Sequence, residues 1–393
     1  MNQKSAMDTD VDKMARKVVL VVCMLDSIHS ARWLSLFKDH EIDFFLFPST
    51  PNRRLHARIK SLINGEFNQK ATFKISRVNL YGAIPIWLAG RFTGSLIPAM
   101  FLKRIAKKNS IDLIHAIELN HAGYLVASAK KIGLPKSIKI IATNWGSDIF
   151  WFQQFPRHRK KIKEIMRISD FYSAECVRDL SLASKFEFRG EFKEVLPNSG
   201  GFEIGKILNS NSIPPSERSG IVVKGYESFV GRASVILKAF SMNPNLFKDY
   251  EIYIYSANNK TVRLAKRLAK STGLKIYTYR KKSLGHDDVL DLFKKSRVYI
   301  GVSLSDGIST SLLEAMVSGA FPIQTDTSCA NEWIIDGKSG SIIPPNAHAV
   351  LASLTLALND DVLVNNAAIL NLDTAKQRLD YLEIKAKVSN FYR

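Results

Sequence analysis

The chain has 393 residues, enough for two ordinary domains. With 46% apolar and 23% charged residues it has a globular composition, which excludes a disordered or fibrous chain. Lys and Arg outnumber Asp and Glu by 56 to 36, a formal net charge of +20 that favours anionic partners: nucleic acid, a membrane surface or a phosphorylated small molecule. The three cysteines, Cys23, Cys176 and Cys329, are far apart in sequence and form no C-x-x-C. That usage argues against a disulfide framework or a thiolate zinc site and fits a reducing compartment. Met1 to Arg16 mixes acidic, basic and polar residues, so a flexible N-terminus with no leader peptide and a cytoplasmic chain are expected.

From Lys17 onward, short runs rich in β-branched residues alternate with segments of helical apolar spacing. The predicted strands of the first half are Lys17–Cys23, Ile42–Phe47, Thr72–Val78, Ile111–His115 and Ile138–Thr143, with helices such as Ser30–Lys38 and Ala122–Ile132 between them. Such alternation predicts βαβ units in a parallel sheet covered by helices on both faces. The loop after the first strand carries Asp26, Ser27, His29 and Arg32; Asp26 or Ser27 is suited to cap the next helix, or the group lines a cleft. Val78–Leu102 is apolar but broken by Pro85, Arg91 and Pro98, too interrupted for a spanning helix, and is followed by Lys103, Arg104, Lys107 and Lys108. Two readings stand for it: a helix lying in an anionic headgroup layer, or a core helix with a solvated cationic end.

His115, Glu118, Asn120 and His121 follow the fourth strand, and Asn144–Asp148 follows the fifth, where Asp148 either positions a ligand hydroxyl or caps the next helix. No pair of histidines has the spacing of a metal site, and no protein-held metal or cofactor is expected. Pro197–Gly201 closes the half as a cleft-floor loop or a plain turn, and Asn209–Gly220, rich in Ser and Pro, is the best linker candidate. The alternation then restarts with predicted strands Ile221–Gly225, Glu251–Tyr255, Leu274–Tyr279, Val298–Ser303 and Phe321–Gln324, with helices Ala233–Ser241, Thr261–Thr272, Asp287–Ser296 and Ser309–Ser318 between them. In open α/β sheets ligands sit outside the carboxyl ends of the strands.

Neither half carries the Gly-rich phosphate loops of ATP or NAD enzymes. The richest stretch is Ser303–Gly340, in which Asp306-Gly307 leads into a helix begun by Ser309, Thr310 and Ser311, with Glu314 eight residues after Asp306. Unpaired amides at such a helix start hold a diphosphate without a metal, and Glu314 is placed to accept hydrogen bonds from sugar hydroxyls. Asp306–Gly340 resembles the C-terminal signature of retaining GT-B glycosyltransferases of family four, in which two acidic residues in E-x7-E spacing precede EAMA-x-G-x-P-V-I and a later E-x-x-x-x-G. The matches are Glu314-Ala315-Met316, Gly319, Pro322-Ile323, Glu332 and Gly337; Asp306 departs from the first Glu and is shorter by one methylene.

The resemblance implies two Rossmann-like doubly wound α/β domains facing across a cleft. The expected boundaries are an N-terminal acceptor domain over 17–203, a linker over 204–220, a nucleotide-sugar domain over 221–372, and a final helix over 373–393 that crosses back to the first domain. It implies that Lys224 and Arg232 neutralise the donor diphosphate, with Asp306 and Glu314 completing the catalytic set, and that Gly307, Ile308, Ser309, Thr310, Ser311 and Ser256 bind the donor. Trp145 stands where the H-G-x-D loop of the family has its histidine. Asp26, Ser27, His29, Arg32, His121, Trp145, Asp148 and Asn198 are the expected acceptor or cleft residues. The implied activity is transfer of a sugar from a nucleoside-diphosphate sugar to a saccharide or lipid-linked acceptor with retention, of the type that builds bacterial surface polysaccharide such as lipopolysaccharide or capsule. An epimerase or phosphorylase on the same fold is the alternative. A nucleic-acid partner is not expected, because Arg157–Lys163, Lys260–Lys270 and Arg280–Lys282 belong to no recognisable nucleic-acid module. Peripheral association with an anionic membrane surface would use the remaining charge.

Overall fold

The structure, a computed structural model, describes residues 16–51, 54–75, 95–208, 213–281 and 283–393. Most of the expected flexible N-terminus lies outside the described residues, as do residues 78–94 of the apolar run and 209–212 of the expected linker.

The first strand, β1 (Lys17–Cys23), is almost continuously aliphatic, and Val19 to Cys23 are all buried, as a central parallel strand covered on both faces requires. Leu20 and Val22 enter one apolar cluster and Val19, Val21 and Cys23 another, following the two-residue alternation of a strand. β2 (Ile42–Pro48), β3 (Thr72–Ile75), β4 (Leu113–Ile117), β5 (Lys139–Thr143), β6 (Phe171–Ser173) and β7 (Glu191–Phe192) complete the sheet. Its order is β3-β2-β1-β4-β5-β6-β7, and every pair is parallel.

The second half repeats the scheme. β8 (Gly220–Lys224) is central, a small hairpin of β9 (Glu227–Ser228) and β10 (Gly231–Arg232) follows it, and β11 (Glu251–Ala257), β12 (Lys275–Arg280), β13 (Ser296–Gly301), β14 (Phe321–Thr325) and β15 (Ser341–Ile343) come after. The sheet order β12-β11-β8-β13-β14-β15 is again all parallel. These are the two doubly wound halves of a GT-B fold. In each, the strand order reverses beside the central strand, between β1 and β4 and between β8 and β13. Those switch points open the crevices where ligands bind.

The C-terminal segment corrects one expectation. Residues 373–393 are not one helix: Asp361–Arg378 ends, and a second helix, Tyr381–Lys387, begins after a break. The Asp380 side chain caps the second helix by accepting from the Leu382 amide, and the backbone around it is extended enough to pair with Phe202. Phe202 donates its amide to Leu379 O at 2.7 Å, and Tyr381 donates to Phe202 O at 2.9 Å. The outgoing and returning strands of the chain are thus tied where they cross between the halves. Beyond the break, Ile384, Val388, Phe391 and Tyr392 bury themselves in the apolar cluster of the first half, which is the crossing the resemblance implies.

Among the described residues no single helix is long and apolar enough to cross a membrane. The helix Leu96–Lys108 buries Pro98, Ala99, Leu102 and Ala106, so the tail of the apolar run does form a core helix. Its other face leaves Leu96 44% and Met100 56% exposed.

Candidate active site

A cavity of about 460 Å³ lies between the two switch points. The first half lines it with His29, Glu118, His121, Trp145, Asp148 and Asn198. The second half contributes Lys224, Tyr226, Asp306, Ile308, Thr310 and Ser311.

Lys224 ends β8 and points across the start of the helix Thr310–Ser318. Its Nζ lies 3.5 Å from Asp306 Oδ2 and 3.4 Å from Ser309 Oγ. Burial works against the ammonium, but the Asp306 carboxylate, aided by Tyr299 and Tyr226, outweighs it and raises its pKa. Asp306 closes its own turn by accepting from the Gly307 amide at 3.0 Å. Ser309 holds the N-cap position yet makes no side-chain cap, its hydroxyl instead facing Lys224. A lysine and an uncapped helix start converging beside one carboxylate form an anion site whose cation is held by a partner it can release.

The opposite wall is built from buried carboxylates that fix loops. Asp148 accepts from the Trp145 amide at 2.8 Å with one oxygen and from the Leu119 amide at 2.7 Å with the other. Burial lifts its pKa to about 7, against the pull of those amides. It therefore pins the loops after β4 and β5 to each other and does not cap the helix it opens. Glu118, at a left-handed φ of 77°, accepts from the amides of His121 and Ala122 and from His121 Nδ1 at 3.2 Å. That hydrogen bond raises the pKa of His121 against the effect of burial. Asn198 donates its amide to Glu175 and its side chain to Asn144 O, which makes the Pro197–Gly201 loop a floor of the cleft. His29 packs against Trp145 with ring centres 5.5 Å apart; burial, then Arg32 and Lys224, depress it to about 4, so it is neutral. The Trp145 indole Nε1 is buried and has no partner among the described residues.

A second element crosses the cleft beside this cavity. Arg32 donates to His286 Nε2 at 2.9 Å, and His286 Nδ1 lies 3.6 Å from Glu314. Arginine only donates, so Nε2 accepts and the ring proton sits on Nδ1, facing the carboxylate. Burial and Arg32 hold His286 near 4, so this contact joins a neutral ring to Glu314 and is not an ion pair. Burial raises Glu314 itself to about 7, opposed by Arg32 and Lys224. Beyond the bridge, Arg32 and His286 face an adjoining basic cavity that also takes Lys38, Arg58, Lys206 and Lys294.

The halves also touch directly. Ser147 Oγ donates to Ser305 O at 3.1 Å, Arg178 donates to Asp306 O at 3.0 Å, and the Trp151 and Phe229 rings stack at 5.4 Å. Cys176 and Cys329, far apart in sequence and both free thiols, come together here with sulfurs 2.6 Å apart. The face-to-face halves bring the segments after β6 and β14 against each other.

Not every expected residue reaches the cavity. Ser27 caps the first helix by accepting from the His29 amide, and neither it nor Asp26 lines the cleft. Ser256 sits within β11 with φ 51°, away from the cavity lining. Arg232 ends the hairpin, its amide donating to Val302 O, and its Nε is buried without a partner among the described residues. Gly307 and Ser309 belong to the turn below the cavity and do not line it. Glu175, Tyr226, Phe229 and His286 are site neighbours that sequence reasoning missed.

The comparisons with known proteins follow the same division. Residues 221–370 match the family described as Glycosyl transferases group 1, and residues 17–177 match Glycosyl transferase 4-like. The GtfA subunit of a UDP-N-acetylglucosamine–peptide N-acetylglucosaminyltransferase from Limosilactobacillus reuteri is 27% identical over 110 residues, 28% of this chain and 21% of that protein. The matched stretch therefore spans about a fifth of that relative. Among solved structures, Anabaena HepE in complex with UDP is similar with TM-score 0.69 and 15% identity, over 95% of this chain and 98% of that one. A sucrose-phosphate synthase from Thermosynechococcus elongatus is similar with TM-score 0.68 and 12% identity, over 96% and 98%. With each half matching a glycosyltransferase family model and both together matching solved two-domain relatives, the chain has the GT-B fold, its cleft formed where the halves meet.

Proposed function

We propose that the chain transfers a sugar from a UDP-sugar to a hydroxyl of a saccharide or lipid-linked acceptor, with retention of configuration, in assembly of a cell-surface polysaccharide such as lipopolysaccharide or capsule. The observation that carries this reading is the placement of Lys224 over the uncapped start of the helix Thr310–Ser318, with Glu314 one turn further along that helix. The donor diphosphate binds at the helix start, and Lys224 exchanges Asp306 for phosphate oxygens. Glu314 accepts from the ribose hydroxyls, and Asp306, released from Lys224, accepts from the donor sugar. As the glycosidic bond breaks, negative charge grows on the diphosphate, and a fixed cation in a water-poor cleft stabilises it without a protein-held metal. A phosphate oxygen of the departing diphosphate then takes the acceptor proton on the same face.

Support for UDP comes from the relatives: HepE structures hold UDP, and UDP with glucose, and the Limosilactobacillus relative is named for UDP-N-acetylglucosamine. The acceptor enters on the wall of Trp145, His121 and Asn198. Its lipid-linked character is supported by the helix Leu96–Lys108, whose exposed Leu96 and Met100 adjoin Lys103, Arg104, Lys107 and Lys108 along one groove. Apolar and cationic side chains on one helix face suit peripheral binding to anionic lipid on the cytoplasmic side. The test incubates the chain with UDP-sugars and saccharide or lipid-linked acceptors and reads the anomeric configuration of the product by proton NMR. A product with the donor's configuration supports the reading, and an inverted product or a sugar-nucleotide isomer contradicts it.

A further inference from the structure

Cys176 and Cys329 face each other across the join between the halves. Cys176 holds the N-cap position of the helix Val177–Lys185 in the first half, and Cys329 follows β14 in the second. Both are buried, and their sulfurs are 2.6 Å apart. The surroundings fix the two segments against each other. Glu332, next to Cys329, accepts from the Val177 and Arg178 amides at 3.0 and 3.3 Å, so a carboxylate of one half caps a helix of the other. The Cys329 amide donates to Gly307 O at 3.0 Å, and Arg178 donates to Asp306 O, so the pair stands directly behind the turn carrying Asp306.

Cys176, Cys329 and Glu332 are close enough to suggest a cation site, but the geometry favours a sulfur–sulfur bond. Two thiolates on one tetrahedral zinc stand about 3.7 Å apart, given Zn–S bonds of about 2.3 Å. These sulfurs are closer, and both Glu332 oxygens are occupied by the helix it caps.

We propose that Cys176 and Cys329 form an oxidative modification site, at which a peroxide joins the two thiols in a disulfide that ties the halves together behind the Asp306–Gly307 turn. One sulfur attacks a peroxide oxygen; the O–O bond breaks, an S–O bond forms, and the thiol proton leaves with the second oxygen as water. The other sulfur attacks the resulting sulfenic acid; the S–S bond forms, the S–O bond breaks, and the hydroxyl departs with the second thiol proton as a second water. Two electrons pass from the sulfur pair to the peroxide, and a dithiol reverses the bond by exchange. In the closed join the Cys329 hydrogen bond and burial keep the Cys176 thiol protonated, so attack begins when the halves part. Because both halves wall the cavity, a bond between them hinders the opening that admits donor and releases product.

The experiment treats the full chain with hydrogen peroxide, counts free thiols and maps tryptic peptides. The expected result is a linked peptide joining Cys176 to Cys329, with Cys23 alone of the three cysteines remaining free, and reversal by dithiothreitol. Sugar transfer should fall about tenfold on oxidation of the native chain and stay unchanged on the same treatment of Cys176→Ser or Cys329→Ser. Three free thiols after treatment, a link through Cys23, or thiol protection that a zinc chelator abolishes would overturn the site. A correct link with undiminished transfer would overturn the locking role. The peptide map reads the site whatever sugar the chain transfers, so its outcome is separable from that of the proposed function.

Discussion

Gly146 and Gly307 meet so closely across the cleft that a methyl group built on Gly146 would lie 2.2 Å from both the Cα and the amide nitrogen of Gly307. Gly146 also has φ 80°, where a side chain is strained regardless of space. The contact joins the loop after β5, which carries Trp145 and Asp148, to the turn that carries Asp306. Both the Trp145–Asp148 loop and the Asp306 turn therefore depend on two residues without side chains.

Gly146→Ala should force the two loops apart. We expect transfer to fall about a hundredfold, as a displacement near 1 Å at the reacting atoms implies. Far-ultraviolet circular dichroism should stay native, because both sheets have separate cores. An active Gly146→Ala chain would show that the loop contact does not set the cleft geometry.

Lys224→Met keeps the aliphatic stem and removes the charge that faces Asp306 and Ser309. Loss of one preorganised charge at a leaving group costs about 100- to 1000-fold in kcat. Steady-state rates at saturating acceptor measure this, and a change confined to KM would assign Lys224 to ground-state binding alone.

Glu314 links pH to stability. Its pKa is about 7 in the fold against the ordinary 4.5 of a glutamate side chain, so the native state holds this proton more tightly than the unfolded chain. Its contribution to stability is full below the unfolded value and is lost as pH rises through the folded one. Glu314→Gln, which cannot ionise, should therefore melt higher than the native chain at about pH 8, by an amount worth about 1–3 kcal/mol. The gap should close as pH falls toward the unfolded value, while the variant loses donor binding at every pH. Differential scanning calorimetry across this range decides it, and a gap that widens in acid contradicts the assignment.

The legible parts of the fold were those with enough residues to show a period. β1, β8 and β11 are five to seven residues long and rich in β-branched or aromatic residues, and they stand close to their expected places. β4 starts two residues later than expected, because the Asp112 carboxylate is engaged with the Val18 amide ahead of it. β6, β7 and β15 have two or three residues each and offer no period to read. The helix Pro156–Ile168 reads only as a basic cluster, since it buries just Ile162, Ile165 and Met166.

Legibility of the site divides in the same way. Lys224, Asp306 and Glu314 lie within one half; the spacing of Asp306 and Glu314 at a helix start shows in the sequence, while Lys224 comes only through the family resemblance. His286 and Glu175 gain meaning only when the other half arrives, the first through Arg32 and the second beside Gly307. The facing of the two cysteines is likewise a property of the join, invisible in their spacing of 153 residues.

Tyr392 anchors the crossing tail. Its hydroxyl accepts from Trp33 Nε1 at 3.1 Å and lies 2.8 Å from His115 Nδ1, all buried. Burial depresses His115 to about 3, so the imidazole is neutral and Thr143 occupies its other nitrogen. Tyr392→Phe leaves two buried polar groups without that partner and should cost about 1–3 kcal/mol, read as a lower denaturant midpoint with unchanged slope. An unchanged midpoint would mean that the tail is held by its apolar contacts alone.

The central claim is that the cleft between Lys224, Asp306 and Glu314 holds a nucleoside diphosphate. Thermal shift with UDP tests it most directly, because a ligand bound only to the native state raises the melting temperature. The prediction is a rise for the native chain that collapses in both Lys224→Met and Glu314→Gln, each compared with its own ligand-free form. No rise with any nucleoside diphosphate, or an equal rise in both variants, would contradict it.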